Sequence, residues 1–444
     1  MRSLVIISLM LDVAFIRENT DLVKEGARKK KVTVDIDHFL KLDEKRRSIL
    51  TTIGDKRAEQ NKASALIAQA SNEERPDMIE AVSKLKAEIQ ELEESLKPIK
   101  EEWHTLLMDI PNPPSEEMPL GESDEDNVTV RKWGKIPSFD FTPLDHATLG
   151  RNLDLIDLET AAEVSGSRFY YLKGDLVLMQ FAIVQWTMAT LGNTEILKKV
   201  RDNAGLEVSS IAFTPMLPPV IVRKEVQAAI HRVFGDQTYS LVGEEQNLIA
   251  SAEHSMAPYF MNKTLDHSEL PKRFIGYSTA FRREAGTYGK DMGGILRVHH
   301  FDKLEIESFT DAESGSDEQK FIVALQEYMV QQLGIPYRLQ QVCTGDTGKP
   351  DYQQFDIECW IPSQNTYRET HTSDYMTDYQ TRGINSKYVD KEGNKEFLHT
   401  NDATAFAITR ILIAIMENYQ QADGSILVPE VLRAYMGGKE LITR

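Results

Sequence analysis

Only two cysteines occur in 444 residues, Cys343 and Cys359. That excludes a disulfide framework and a four-cysteine zinc site, and it points to a reducing compartment, the cytoplasm. No apolar run reaches the roughly 18 residues that a membrane-spanning helix needs, so no membrane partner is expected. Positive charge is also scarce. Lys and Arg number 51 against 69 Asp and Glu, a net −18, which argues against indiscriminate adhesion to nucleic acid and leaves room for a local basic patch. What is present is ordinary for a folded chain: 41% hydrophobic and 27% charged residues exclude wholesale disorder. The length fits about two or three domains. Residues 1–9 are apolar but carry only Arg2 as a basic flank, too little for a signal peptide; they read as an extension ahead of a start at Met10.

The clearest periodicity spans residues 39–108. In its second half, Met78, Val82, Leu85, Ile89, Leu92, Leu96, Ile99, Trp103 and Leu106 follow one another in alternating steps of four and three, a heptad seam. Its first half carries Phe39, Leu42, Ile49, Ile53, Ala63, Ile67 and Ala70 on one stripe, interrupted by Arg46, Lys56 and Gln60. Between them, the segment from Ser71 to Pro76 is expected to break the helix. Two helices joined by so short a turn run antiparallel, and Pro98 is expected to kink the second locally. A single seam buries too little to be a globular domain, so the hairpin is a projecting arm. Lys41, Lys45, Arg46, Arg47, Lys56, Arg57 and Lys62 crowd its first helix, with Asp43, Glu44, Asp55 and Glu59 in balance. A structural coiled coil and a nucleic-acid arm both fit that pattern. The Pro- and acid-rich stretch 109–127 is a linker in texture.

Beyond it, residues 213–222, 273–281, 296–309 and 352–362 read as strands, and 174–191, 315–334 and 404–420 as helices. Without regular strand–helix alternation, an α+β domain on an antiparallel sheet is expected. The familiar phosphate loops fail: before Gly348-Lys349, Cys343 stands where a P-loop needs glycine, and Pro350 stands where it needs Ser or Thr. The strongest patch is Phe281-Arg282-Arg283-Glu284-Ala285-Gly286, a Gly-rich loop through Gly294, and the return segment Val298-His299-His300-Phe301-Asp302-Lys303-Leu304-Glu305. Strand alternation would set Arg282 and Glu284 on one face. Arginine offers a fork for phosphate oxygens, Phe301 a surface for a base, and Glu305 a partner for an ammonium group. A surface hairpin with ordinary ion pairs fits equally well. His299-His300 lacks companions for a zinc site, Cys359 reads as core, and so do Met179, Phe181, Trp186 and Met188.

The FRxEAG strand and VHxFDKxE return resemble motif 2 of class II aminoacyl-tRNA synthetases in the seryl-tRNA synthetase version. In order along the chain, four further stretches are similar to that family: Pro219 to its motif 1 proline, Ser251-Ala252-Glu253 to its T-x-E loop, Asp356 to Glu369 to its D-x-E-x-W-x-P-x-Q-x-x-Y-R-E segment, and Ala403 to Arg410 with Glu417-Asn418-Tyr419-Gln420 to motif 3. The resemblance runs from Met10 to the C-terminus. It implies a class II antiparallel catalytic domain over 131–444, a linker over 113–130, and a tRNA-binding domain with its arm over 1–112. It also implies a serine–tRNA ligase that uses ATP and Mg²⁺, works as a homodimer, and charges tRNA(Ser), with tRNA(Sec) as a second candidate. By resemblance Arg282 and Arg410 are catalytic. Arg282, Arg283, Glu284, Val298, His299, His300, Phe301, Glu369, Thr370, His371, Thr372 and Arg410 meet ATP, with Glu369 and Thr372 on the metal side. Ser251, Ala252, Glu253, Arg282, Glu305, Asp402 and Thr404 hold serine, and Lys45, Arg46, Arg57 and Lys62 meet tRNA. Two departures stand out: Ser251 replaces the usual Thr and keeps its hydroxyl, while Asp402 replaces the usual Asn and, ionised, cannot donate a hydrogen bond. The alternatives are a catalytically impaired tRNA-binding dimer and a ligase loading a carrier protein, which would have no use for the arm.

Overall fold

The computed structural model describes residues 11–67, 70–71, 73–232, 235–284 and 293–444. The expected N-terminal extension and the Gly-rich loop from Ala285 to Met292 lie outside the described residues. The chain divides into two compact units, Leu11–Pro113 and Pro114–Arg444.

The first unit is helical: α1 (Val13–Glu18), α2 (Thr20–Lys29), α3 (Ile36–Ile67) and α4 (Arg75–Asp109). Asp12 caps α1 by accepting from the Ala14 N–H at 2.7 Å. The long pair α3 and α4 forms the predicted hairpin. Pro76 does not break a helix but sits in the first turn of α4, where a missing N–H costs nothing; α4 continues unbroken through Pro98. The seam packs Ile53, Ile89 and Leu96 with Ile49 and Leu92, and lower down Phe39 stacks on Trp103 at 5.8 Å. Asp43, expected to balance charge in solvent, is instead buried. Its carboxylate receives Arg17 at 3.1 Å, Arg46 at 2.9 Å, Arg47 at 3.2 Å and the Trp103 indole N–H at 3.2 Å. Arg46 interrupts the apolar stripe because its guanidinium lies over the Trp103 ring, 4.2 Å from the centroid.

The second unit is built on one eight-stranded sheet. Its strands are β1 (Val128–Trp133), β2 (Thr214–Met216), β3 (Lys272–Phe281), β4 (His300–Thr310), β5 (Tyr337–Gln341), β6 (Gln353–Ile361), β7 (Thr366–Thr377) and β8 (His399–Ala407). Their spatial order is β1-β5-β6-β7-β8-β4-β3-β2. Every pairing is antiparallel except β2 with β3, which is parallel. Helices α5 (Asp175–Leu191), α6 (Gly315–Gln332) and α7 (Ile408–Asn418) join the sheet in one core that includes Leu304, Ile306, Ile357, Phe406 and Ile411. Residues 404–407, expected to begin a helix, complete β8, and α7 starts at Ile408. Residues 296–299 precede β4 rather than belonging to it.

Alternation along β4 sends Leu304 and Ile306 into that core, so Phe301, Lys303, Glu305 and Glu307 face the other way. Register shifts at Thr370 in β7 and Ala405 in β8 interrupt the ladder. Buried Gln326 of α6 donates to the Thr372 and Thr404 carbonyls beside those shifts, both at 2.8 Å, and Gln319 donates to the Gln353 and Ser373 carbonyls, both at 2.9 Å. Of the residues expected in the core, Met179 and Trp186 are buried, but Phe181 is 45% exposed on the outer side of α5. Cys359 is fully buried, and burial pushes its thiol up to about 12, which rules it out as a ready nucleophile.

Candidate active site

A cleft of about 550 Å³ opens where β3, β4, β7 and β8 approach the start of α7. Arg282, Glu284, Val298, Phe301, Glu369, Thr372, Thr404 and Arg410 line it, so the structure gathers residues that lie as much as 128 positions apart, from 282 to 410.

Arg282 follows directly on β3. Its N–H donates to the His299 carbonyl at 2.9 Å, its Nε donates to the Ala250 carbonyl at 3.2 Å, and its guanidinium carbon lies 5.4 Å from the Phe301 ring centroid. Burial, then the nearby Arg410 charge, lowers the Arg282 pKa while Glu284, Glu369 and Glu305 act against the fall. Two guanidiniums that repel each other across a cleft are the electrostatic signature of a polyanion site. Glu284 shares that cleft, but not by strand alternation: β3 has ended, and Glu284 sits at φ 48°, left-handed backbone that costs a non-glycine residue roughly 1 kcal/mol. Its carbonyl accepts from Arg168 Nη1 at 2.7 Å, and its carboxylate lies 3.6 Å from Arg297.

On the opposite wall, Glu369 pairs with Arg410 at 3.1 Å, and Arg410 also donates to the Glu369 carbonyl at 3.0 Å. Against the cost of burial, Arg410 and then Arg282 hold the Glu369 carboxyl below its ordinary range. The shift at Thr370 brings Glu369 and Thr372, three residues apart, to the same cleft. It turns His371 the other way. That imidazole is 1% exposed, packs on Phe406 at 4.9 Å, and is pushed down to about 3 by burial, so the side chain belongs to the core and does not enter the cleft. The Thr370 hydroxyl is likewise committed to the Ile357 carbonyl at 3.2 Å. Asp356, beside Glu369, is driven up by burial and then by the Glu369 charge, a strain that a cation bound by oxygen ligands would relieve.

His299 and His300 do not line the cleft. His299 Nδ1 lies 3.0 Å from the Arg282 carbonyl, bracing the backbone of that arginine. His300 stacks on Tyr170 at 4.9 Å, with ring planes 4° apart. Arg283 is exposed outside the cleft, its N–H donating to the Gln237 carbonyl at 2.9 Å.

Behind the cleft lies a buried polar pocket. Lys303 Nζ pairs with Glu305 at 2.5 Å and donates to the Ser251 hydroxyl at 3.3 Å. Ser251 also accepts from the Glu253 N–H at 3.3 Å, whereas Ala252 turns into a separate apolar cluster with Met256 and Phe260. Asp402 is 3% exposed, opposite Glu307 on β4 and Asp374 on β7. Lys303 was missed by the sequence reading although its signal was legible, since it stands between Phe301 and Glu305 on one strand face. Arg232, which reaches Glu253 at 2.5 Å, follows a six-residue helix in no recognisable motif and carried no such signal. Of the arm residues, Lys45 and Lys62 are exposed, Lys56 pairs with Glu88 across the hairpin at 2.6 Å, and Arg57 pairs with Glu93. Among the described residues, no group of three or more His, Cys, Asp or Glu is arranged to hold a metal ion, and no helix is long and apolar enough to cross a membrane.

Comparison with known proteins agrees with this geometry. Residues 10–114 match the seryl-tRNA synthetase N-terminal domain, and residues 239–419 match the tRNA synthetase class II core domain. The serine–tRNA ligase of Dictyoglomus turgidum is 37% identical over 437 residues, covering 97% of this chain and 99% of that protein. The seryl-tRNA synthetase of Pyrococcus horikoshii, solved in complex with ATP, superposes with a TM-score of 0.84 at 32% identity over 98% of this chain and 99% of its own. The cytoplasmic enzyme of Naegleria fowleri, solved with AMP, gives 0.79 at 28% identity over 98% of each chain.

Proposed function

This chain belongs to the seryl-tRNA synthetase family, and from that premise we propose that it activates L-serine with ATP and transfers the seryl group to tRNA(Ser). The observation that carries the reading is a single cleft in which Arg282 and Arg410 flank Phe301, with the buried carboxylate Glu305 just behind.

Activation is attack by a carboxylate oxygen on the α-phosphorus, with pyrophosphate leaving. Both reactants are anions, so the protein's work is to align them and to absorb charge. Arg282 would hold the serine carboxylate and the α-phosphate together, while Arg410 would release Glu369 to take the γ-phosphate end. Glu284 would read the adenine edge and Phe301 would carry the base. Glu369 and Thr372, with Asp356 close by, supply the hard oxygen donors that suit Mg²⁺, which would neutralise phosphate charge when bound. Ser251, Glu253, Glu305, Asp402 and Thr404 would enclose the amino acid. Lys303 already places an ammonium between Ser251 and Glu305, the chemistry the serine ammonium needs there. A substrate lacking the hydroxyl would leave buried polar groups unpaired, at roughly 1–3 kcal/mol each.

Transfer then moves the seryl group to the 3′-terminal ribose. The arm would lie along the phosphates of a long variable arm, reading shape rather than bases. Exposed Lys45 and Lys62 suit that task directly, and tRNA(Sec) would follow if it presents the same shape. The homodimer would form about Pro219, where Leu217 is 78% exposed beside the edge strand β2. Serine-dependent ATP–pyrophosphate exchange followed by charging of a tRNA(Ser) transcript tests the reading. Exchange without charging would reduce it to amino-acid activation, and absence of both would remove it.

A further inference from the structure

We propose that Arg232 is a positioning residue of the amino-acid pocket, clamping Glu253 in place and bracing the extra carboxyl that Asp402 brings there. The proposal rests on the ligase reading above. Arg232 is 8% exposed. Its Nε donates to Glu253 at 2.5 Å, and its Nη2 lies 3.4 Å from Asp351, 3.7 Å from Asp374 and 4.0 Å from Asp402. Four carboxyls, from a short helix (Glu253), a loop (Asp351) and two strands (Asp374 on β7, Asp402 on β8), thus converge on one guanidinium. Gln380 completes the hold on Glu253, donating to the same oxygen at 2.6 Å.

The need for this cation follows from the surroundings. Asp402 on β8 has Asp374 beside it on β7 and Glu307 on β4. Both Glu307 carboxylate oxygens and Asp402 Oδ1 are buried without a hydrogen-bond partner. Among the described residues Lys303 also faces this group, pairing with Glu305 at 2.5 Å and pulling the Asp402 carboxyl down together with Arg232. Burial, and then repulsion between these groups, raises the carboxyls of Asp402 and Glu307; burial raises Glu253 to about 7 even though Arg232 pulls it down. An asparagine at 402 would remove one carboxyl from the set and supply an N–H. With aspartate there, Arg232 ties that carboxyl to Glu253, Asp351 and Asp374 through one guanidinium. Arg232 lies behind the amino-acid pocket and does not line the nucleotide cleft, so its effect belongs to serine and not to ATP.

The test is a cycle of Arg232→Gln, Asp402→Asn and the double variant, read as KM for serine and for ATP in ATP–pyrophosphate exchange, with melting temperatures alongside. Arg232→Gln should raise serine KM tenfold or more and leave ATP KM within twofold. Adding Asp402→Asn should recover at least threefold of the loss. Serine KM within twofold of the parent, a parallel rise in both KM values, or a double variant no better than the single would each overturn the proposal. If Arg232→Gln does not fold, Arg232→Lys takes its place under the same criteria. A parent enzyme with no serine-dependent exchange would instead refute the ligase reading, so the two failures are distinguishable.

Discussion

Replacing Glu305 by Gln tests the amino-acid pocket with almost no change of shape. Glu305 is fully buried, its carboxylate 2.5 Å from Lys303 Nζ, and it faces Thr404 across the ladder. The amide removes one negative charge where the substrate ammonium is expected to bind. A hydrogen bond to a charged group contributes roughly 1.5–3 kcal/mol net. At about 1.4 kcal/mol per factor of ten, serine KM should rise roughly ten- to 150-fold. ATP KM should stay nearly constant, because the proposed nucleotide contacts lie on Arg282, Phe301 and Arg410. Stability should fall too, because Lys303 keeps its charge in a buried site; an uncompensated buried charge costs about 3 kcal/mol or more. Pyrophosphate exchange at varied serine, with thermal melting of the same samples, measures both. A serine KM changed less than threefold, or one that rises together with ATP KM, would refute this account of the pocket.

Other consequences follow from the same geometry. Arg410→Ala should cut exchange at least tenfold and leave serine affinity, measured by calorimetry, within a few-fold; unaltered exchange would remove Arg410 from the nucleotide site. Lys45→Glu with Lys62→Glu should weaken tRNA charging and spare exchange. This pair is cleaner than reversal of Arg46 and Arg57, which hold the hairpin together; equal loss of both activities would contradict an RNA role for the arm. Asp43→Ala should destabilise the N-terminal unit by about 1–3 kcal/mol, seen as lower helix content on warming, because the Trp103 N–H loses its buried acceptor. The free enzyme should lose stability as pH rises from 7 to 9. Glu253, raised to about 7, keeps part of its proton in the folded state there while the unfolded chain has already released it, and the raised carboxyls of Asp402, Glu307 and Asp374 act in the same direction. The buried histidines His254 and His371 act only below their unfolded value near 6.5 and drop out of that window. Asp402→Asn should flatten the slope, and a melting temperature that rises over that range would contradict the assignment.

The hairpin was legible because a heptad seam is a one-dimensional signal: Met78 through Leu106 declare it without reference to anything distant. Asp43 was misread for the complementary reason. A carboxylate among basic residues looks solvated until the partner helix brings Trp103 and its N–H to bear. The cleft followed from ordered motifs, so Arg282, Phe301, Glu369 and Arg410 were found together. Their neighbours His299, His300 and His371 were not separable from them, because side-chain direction near a strand end or a bulge is set by register rather than by composition. Arg232 lay beyond reach altogether. Its significance comes from four carboxyls between 21 and 170 positions further along the chain, at 253, 351, 374 and 402.

In the proposed mechanism one cleft aligns a triphosphate and an amino acid on two guanidiniums. A crystal structure with a non-hydrolysable ATP analogue, Mg²⁺ and serine tests it most directly. Arg282 is expected on the α-phosphate, Arg410 at the γ-phosphate, adenine against Phe301, and the serine ammonium within hydrogen-bond distance of Glu305. Nucleotide bound elsewhere, or both arginines turned away from it, would contradict the account.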